Sequence, residues 1–331
     1  GRIPLRWFRH NPMVLVQSVL ESFGTLALVF WVLRLLGVPV NVAEPLALVA
    51  MAASPAILMR VVMDTRAAGP MTERAMVLST LSTLYALILV SAQAGLMDRP
   101  HQGVIDSVSP ILVVLGLSVL VGAVLALALR SALRVMSPNS ENTSILLLAL
   151  IAVGTALAAH LGGSAPLAAL LGGMLLKQLS PRPWAWPRQL GTASSLLTML
   201  MFVLVSVVAA QADWSKSVGT LVLALVAARA LAKFAGVALG NAGTGASWKQ
   251  ALWVGCAMSP MSSIALLLVV QLAAAASAQG PMIAGIALPV ILLMEVLGSV
   301  IATVAIHRAG ESSKPWAPVL LGSTLGDGHE S

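Results

Sequence analysis

Charge is scarce in this chain: of its 331 residues only 9% are Asp, Glu, Lys or Arg, against 58% hydrophobic and a mean hydropathy of +0.94. A soluble domain has too little interior to hide that much apolar surface, so a bilayer is the solvent for which the chain is built. Cysteine is almost absent. Cys256 alone cannot build an internal disulfide, and within its apolar run it reads as packing. Metal-ligand spacings, a Ser/His/Asp constellation and a phosphate-cradling glycine loop are lacking too, which leaves no residues to carry an enzyme activity, a resident metal or a cofactor. The net charge of +7 does not signal nucleic acid, because the basic residues never gather into a tract with interleaved aromatics.

What is present is a series of long apolar runs. A hydrocarbon core ~30 Å thick takes ~20 residues of helix, and runs of that order fall at about 12–36, 44–63, 71–94, 105–133, 143–161, 164–178, 191–210, 217–240, 248–273 and 281–306. The expected fold is therefore an all-α polytopic membrane protein with about ten transmembrane helices. With both termini on the cytoplasmic side, only Arg34, Arg99 and Lys216 of the nineteen basic residues fall outside, while Arg229 and Lys233 lie within the eighth run. The other fourteen face inward, which supports both the alternation and a location in a bacterial inner membrane. The chain opens at Gly1 on a basic, Trp-containing stretch with no initiator methionine, so it reads as a piece whose upstream helices are missing. Residues 1–311 are taken as the membrane domain, and 312–331 as a polar, disordered cytoplasmic tail. The loop Ser180–Pro187, with Trp184 and Trp186 at headgroup level, is the candidate boundary between two halves.

Two of the runs carry a proline near their middle, in corresponding places: Ala53-Ser54-Pro55 in the second and Met258-Ser259-Pro260 in the ninth. Each proline removes a backbone donor and frees carbonyls and amides at membrane depth, where protein or a water-filled site must satisfy them. Either proline alone could merely kink a packed helix. As a matched pair, each flanked by one helix before and one after, they point to an inverted repeat whose two discontinuous helices cross at an ion site. The core would then be helices 12–94 and 217–306, with 105–210 as scaffold and linker.

Ionisable residues inside the bilayer are costly, so each is a site hypothesis. Glu295, about midway along the last run, is the leading candidate for proton carriage, because burial and cationic neighbours compete over its ionisation. Glu21 in the first run is a secondary candidate. A fixed ion pair that holds helices in register is the alternative for both. Arg229 and Lys233, four apart, share a helical face that must meet an acid, carbonyls or water.

The stretch Ala158-Ala159-His160-Leu161-Gly162-Gly163-Ser164-Ala165-Pro166-Leu167-Ala168-Ala169-Leu170-Leu171-Gly172-Gly173 resembles the signature A-x-x-x-G-x-S-x-x-L-x-A-x-x-x-G of the cation/proton antiporter superfamily. Within that superfamily it is similar to the sodium/hydrogen exchanger domain of the bacterial Kef-like branch. Arg229-Ala230-Leu231-Ala232-Lys233-Phe234-Ala235-Gly236 is similar to that family's R-x-x-x-K-x-x-G helix, whose lysine commonly pairs with an ion-site carboxylate. The resemblance implies exchange of a monovalent cation, sodium or potassium, for a proton by alternating access, in a homodimer.

The chain departs from the family at the ion site. Ala53-Ser54-Pro55 stands where the family usually reads Thr-Asp-Pro, and Ser82-Thr83 stands where it has an Asp-Asp or Asn-Asp pair. Hydroxyls ligate sodium or potassium but carry no proton at neutral pH. Two readings stay open. In one, Glu295 or Glu21 carries the proton, with Ser54, Ser82, Thr83 and Ser259 as oxygen ligands around Pro55, Pro260 and Lys233. In the other, the scaffold persists as a transport-inactive or regulatory homologue.

Overall fold

The computed structural model describes residues 12–97, 104–136, 140–179, 216–241, 247–261, 263–276 and 278–313, together with scattered helical residues between 191 and 207. The Ser180–Pro187 loop, the tail from residue 314 onward and part of the seventh run lie outside the described residues.

The described residues are mostly helical, with no strand among them. In order come α1 (Pro12–Leu35), α2 (Val40–Met51), α3 (Pro55–Thr65), α4 (Pro70–Met97), α5 (Val104–Val135), α6 (Glu141–His160), α7 (Ala165–Leu179), α8 (Lys216–Leu239), α9 (Trp248–Ala257), α10 (Ser263–Ala275) and α11 (Gly280–Arg308). Seven described stretches are long and apolar enough to cross a bilayer, one of them the interrupted 40–65 pair; α7 and residues 264–275 of α10 are shorter apolar helices. The 248–273 run is two helices of 10 and 13 residues.

Each proline lies at a break between two helices rather than inside a bent one. At the first break Ala52 turns extended (φ −61°, ψ 137°) and Ser54 caps α3, its hydroxyl accepting from the Ile57 amide at 3.1 Å. Pro55 follows at the first helical position, where its missing N–H leaves no gap in the ladder. At the second, α9 is opened by a capping box between Ser247 and Gln250 and runs out at Met258, and α10 begins beyond Pro260. The same order of helix, broken helix, helix thus appears twice, in α1–α4 and in α8–α11.

Packing joins these two triplets into one body. The most extensive contact is α1 against α8, and α11 touches α2, α3, α8, α9 and α10. Small residues set the α1–α8 distance. Gly236 lies on the backbone of Glu21 and Gly240 on that of Gln17, each without room for a Cβ, and the i, i+4 spacing on both helices matches. By contrast α5, α6 and α7 pack mainly on one another, through a core including Leu125, Leu129, Leu133, Leu147 and Leu176, and meet the triplets through α4. The outward faces of α5 and α6 remain apolar and exposed, as lipid-facing helices require.

Candidate functional site

The end of α2 releases carbonyls that no later turn of helix can accept. Four consecutive ones, from Ala50 to Ala53, are instead met by side chains from α4 and α8. Arg229 donates from Nε to Ala50 O (3.0 Å) and from Nη2 to Ala52 O (2.9 Å). Met51 O accepts from Ser82 Oγ at 2.6 Å and from Lys233 Nζ at 3.0 Å, and Ala53 O accepts from Thr83 Oγ1 at 2.8 Å. The carbonyl end of a helix carries partial negative charge, so two cationic side chains are well placed there.

Arg229 also reaches the other break. Its Nη1 donates to Ser259 O at 2.6 Å and touches Met294 Sδ on α11 at 3.7 Å. One guanidinium therefore ties both discontinuous helices together, and it is fully buried. The planar fork of five donors makes this possible, whereas a lysine in its place has a single pivot.

One turn along α8, Lys233 forms a buried ion pair with Glu21 of α1 and donates to Met51 O and to Ser82 Oγ (3.2 Å). All three ammonium protons are used, and all three partners are oxygens. Glu21 is held in turn: Ser22 Oγ donates to its Oε2 at 3.0 Å and Thr25 Oγ1 to its backbone carbonyl at 2.7 Å. With neither carboxylate nor ammonium reaching solvent, this is a desolvated charge centre of two cations and one anion. Gly236 is what lets it form, since a side chain there would push α1 away from the lysine.

The residues singled out in the sequence thus separate into two groups. Lys233, Arg229, Ser82, Thr83, Glu21 and the Ser259 backbone meet at one place. Ser54 is buried but serves as the cap of α3, and Pro55 and Pro260 shape the breaks, Pro260 resting against Gly298 of α11. Glu295 stands apart: it is half-buried, on the α11 flank beside α3, electrostatically coupled to Arg60, and hydrogen-bonded to none of the cluster. It follows Met294, whose sulfur faces Arg229, and one helical step of about 100° turns the carboxyl away. The hydroxyl protons of Ser82 and Thr83 are spent on carbonyls, so each oxygen can act here only as an acceptor, as Ser82 Oγ does toward Lys233.

Sequence reasoning missed the carbonyls of Ala50 and Ala52 and the sulfur of Met294. The proline announces that carbonyls are released, but not which side chains take them. Among the described residues no group of His, Cys, Asp and Glu could hold a metal.

A family model described as sodium/hydrogen exchanger, transmembrane, matches residues 2–307. Among solved structures, the fold is similar to the sodium proton antiporter MjNhaP1 from Methanocaldococcus jannaschii at pH 8, with a TM-score of 0.67 and 17% identity, covering 92% of this chain and 81% of that one. At that identity the likeness speaks for the fold. No curated protein matches the chain.

Proposed function

Since the chain belongs to the sodium/hydrogen exchanger transmembrane family, we propose that it exchanges a monovalent cation for a proton across a membrane, and that the exchange takes place at the Glu21–Lys233 pair. One observation carries the reading. The Lys233 ammonium sits on a carboxylate, a backbone carbonyl and a hydroxyl, the oxygen set that a sodium or potassium ion takes. Ammonium and metal ion compete for the same three oxygens. A cation entering this dry centre would raise its charge further, and the increase is cancelled when Lys233 gives up its proton and swings off Glu21. Cation in, proton out, and the reverse on the other side, is a one-for-one exchange.

Arg229 has the opposite part. It keeps its charge at any physiological pH, so it holds the breaks together throughout the cycle and carries no proton. The triplets α1–α4 and α8–α11 form the moving core and α5–α7 the scaffold, with alternating access arising as one slides against the other. The reading also takes in a homodimer, as in the family resemblance, and both termini on the cytoplasmic side of a bacterial inner membrane, a sidedness supported by the distribution of basic residues.

A second reading has its own observation: Arg229 already fills the carbonyls freed at both breaks, as a tethered cation would, and no aspartate stands at Ser54, Ser82 or Thr83. In it the chain keeps the scaffold without ion traffic. Proton flux into proteoliposomes, driven in turn by lithium, sodium and potassium gradients, separates the two. Exchange with at least one cation, lost in Glu21→Gln and in Lys233→Met, is the expected result; a folded protein that moves protons with none of them leaves the second reading standing.

A further inference from the structure

At the end of the core where α3, α4 and α11 meet, the residues that follow α11 fold back onto the loop between α3 and α4. Helix α11 stops at Gly310, whose left-handed backbone (φ +74°) turns the chain toward α4. Glu311 then places its carboxylate on the start of α4. Oε1 accepts from the Met71 amide at 2.8 Å, and Oε2 from the Thr72 amide at 2.8 Å and the Thr72 hydroxyl at 2.7 Å. Pro70 has no N–H, so these two amides are the unpaired donors at the front of that helix, and a carboxylate also suits the positive end of its dipole.

The backbone repeats the connection. The Ala68 amide donates to Glu311 O (3.1 Å), the Ser313 amide and Ser312 Oγ donate to Thr65 O (3.2 and 3.1 Å), and Ser313 Oγ donates to Arg66 O (2.9 Å). Arg66 is the one non-glycine residue among those described with positive φ, at 49°, so this loop is held in a conformation that tertiary contacts must maintain. Gly69 lies against the Glu311 carboxyl with no space for a Cβ, so the loop is shaped for this acid. Ser312 and Ser313, the first residues of the segment expected to be a disordered tail, are thus hydrogen-bonded to the end of α3 and the loop after it.

We infer that Glu311 is a positioning residue for exchange: it clasps the first helix triplet to the last, so that the two breaks travel as one rigid body. Helix α4 carries Ser82 and Thr83 to the first break. Helix α11 carries Met294 to Arg229 and Gly298 to Pro260. A clasp between their ends keeps these contacts in register while the core moves. The transport arm rests on the exchange reading; the structural arm does not.

The test uses the full chain in lipid nanodiscs and proteoliposomes. Glu311→Ala is expected to speed amide hydrogen exchange at Met71 and Thr72 about tenfold, with Glu311→Gln, which keeps one acceptor oxygen, in between. Unchanged exchange at both amides overturns the clasp whether or not the protein transports anything. In a Cys256→Ser background, an Arg66→Cys/Ser313→Cys disulfide is expected to leave transport within about twofold of the reduced form and to restore the rate lost in Glu311→Ala. Transport that stops on oxidation and returns on reduction overturns the rigid-body claim, because the clasp would then have to open in the cycle. Absence of transport in every form, with amide exchange still responding to Glu311, counts against the exchange reading and not against the clasp.

Discussion

The two breaks begin with the same dipeptide and end in different states. At Ser54-Pro55 the carbonyls from Ala50 to Ala53 are all taken by side chains of α4 and α8, and the following helix is capped by Ser54. At Ser259-Pro260, Arg229 donates to Ser259 O, and the Pro260 backbone rests against the bare Gly298. The first break is thus pinned by Arg229, Lys233, Ser82 and Thr83, and Arg229 reaches from it to the second.

The largest effect that would break this comparison is at the residue both breaks share. Arg229→Met strips three carbonyls at once and is expected to cost about 3–5 kcal/mol, seen as loss of folded protein on thermal unfolding in detergent. Arg229→Lys, with one pivot for three carbonyls, should recover only part of it. A near-neutral Arg229→Met would mean that the breaks are satisfied in some other way.

Next comes the ion pair at the pinned break. Lys233→Met leaves Glu21 buried without a partner and is expected to destabilise by about 3–5 kcal/mol. The double variant Glu21→Gln/Lys233→Met should regain most of that stability while exchange stays absent. If exchange survives in the double variant, proton carriage belongs elsewhere.

Smaller changes sharpen the contrast directly. Thr83→Val removes one buried bond at the first break and should cost about 1 kcal/mol, and Ser82→Ala removes two, to Met51 O and from Lys233, and should cost about 1–2 kcal/mol. Ser259→Ala, at the second, removes a hydroxyl while the carbonyl that Arg229 uses remains, and should fall within about 0.5 kcal/mol of wild type. Equal costs at the two breaks, measured by urea unfolding in mixed micelles, would erase the distinction. Last is Glu295→Gln. Outside the cluster, it is expected to leave cation-driven proton flux within about threefold of wild type; abolished flux with unchanged stability would return the proton to α11.

Much of this architecture was legible from residues alone, and the reason is locality. Prolines 55 and 260 interrupt their helices because a missing N–H is a property of one residue, and both breaks fall where the prolines stand. Glycines were harder. Gly236 fits the helix motif R-x-x-x-K-x-x-G, yet its purpose, a close approach to Glu21, depends on a helix more than two hundred positions away.

The acids show the division most clearly. Glu21 and Glu295 look alike in the chain, single carboxyls in apolar runs, and Glu295 is the more central of the two in its run. Which one meets Lys233 is decided by the faces that α1, α8 and α11 turn to one another, and those phases follow from small-residue contacts such as Gly236 on Glu21 and Gly298 on Pro260. Solvent, helical character and the positions of the breaks were written in order along the chain, since each depends on a residue and its near neighbours. The partner of the lysine, the span of Arg229 across both breaks and the seat of Glu311 on α4 came only with folding, because ion pairs and freed carbonyls are matched in space between segments that hydropathy and spacing treat as independent.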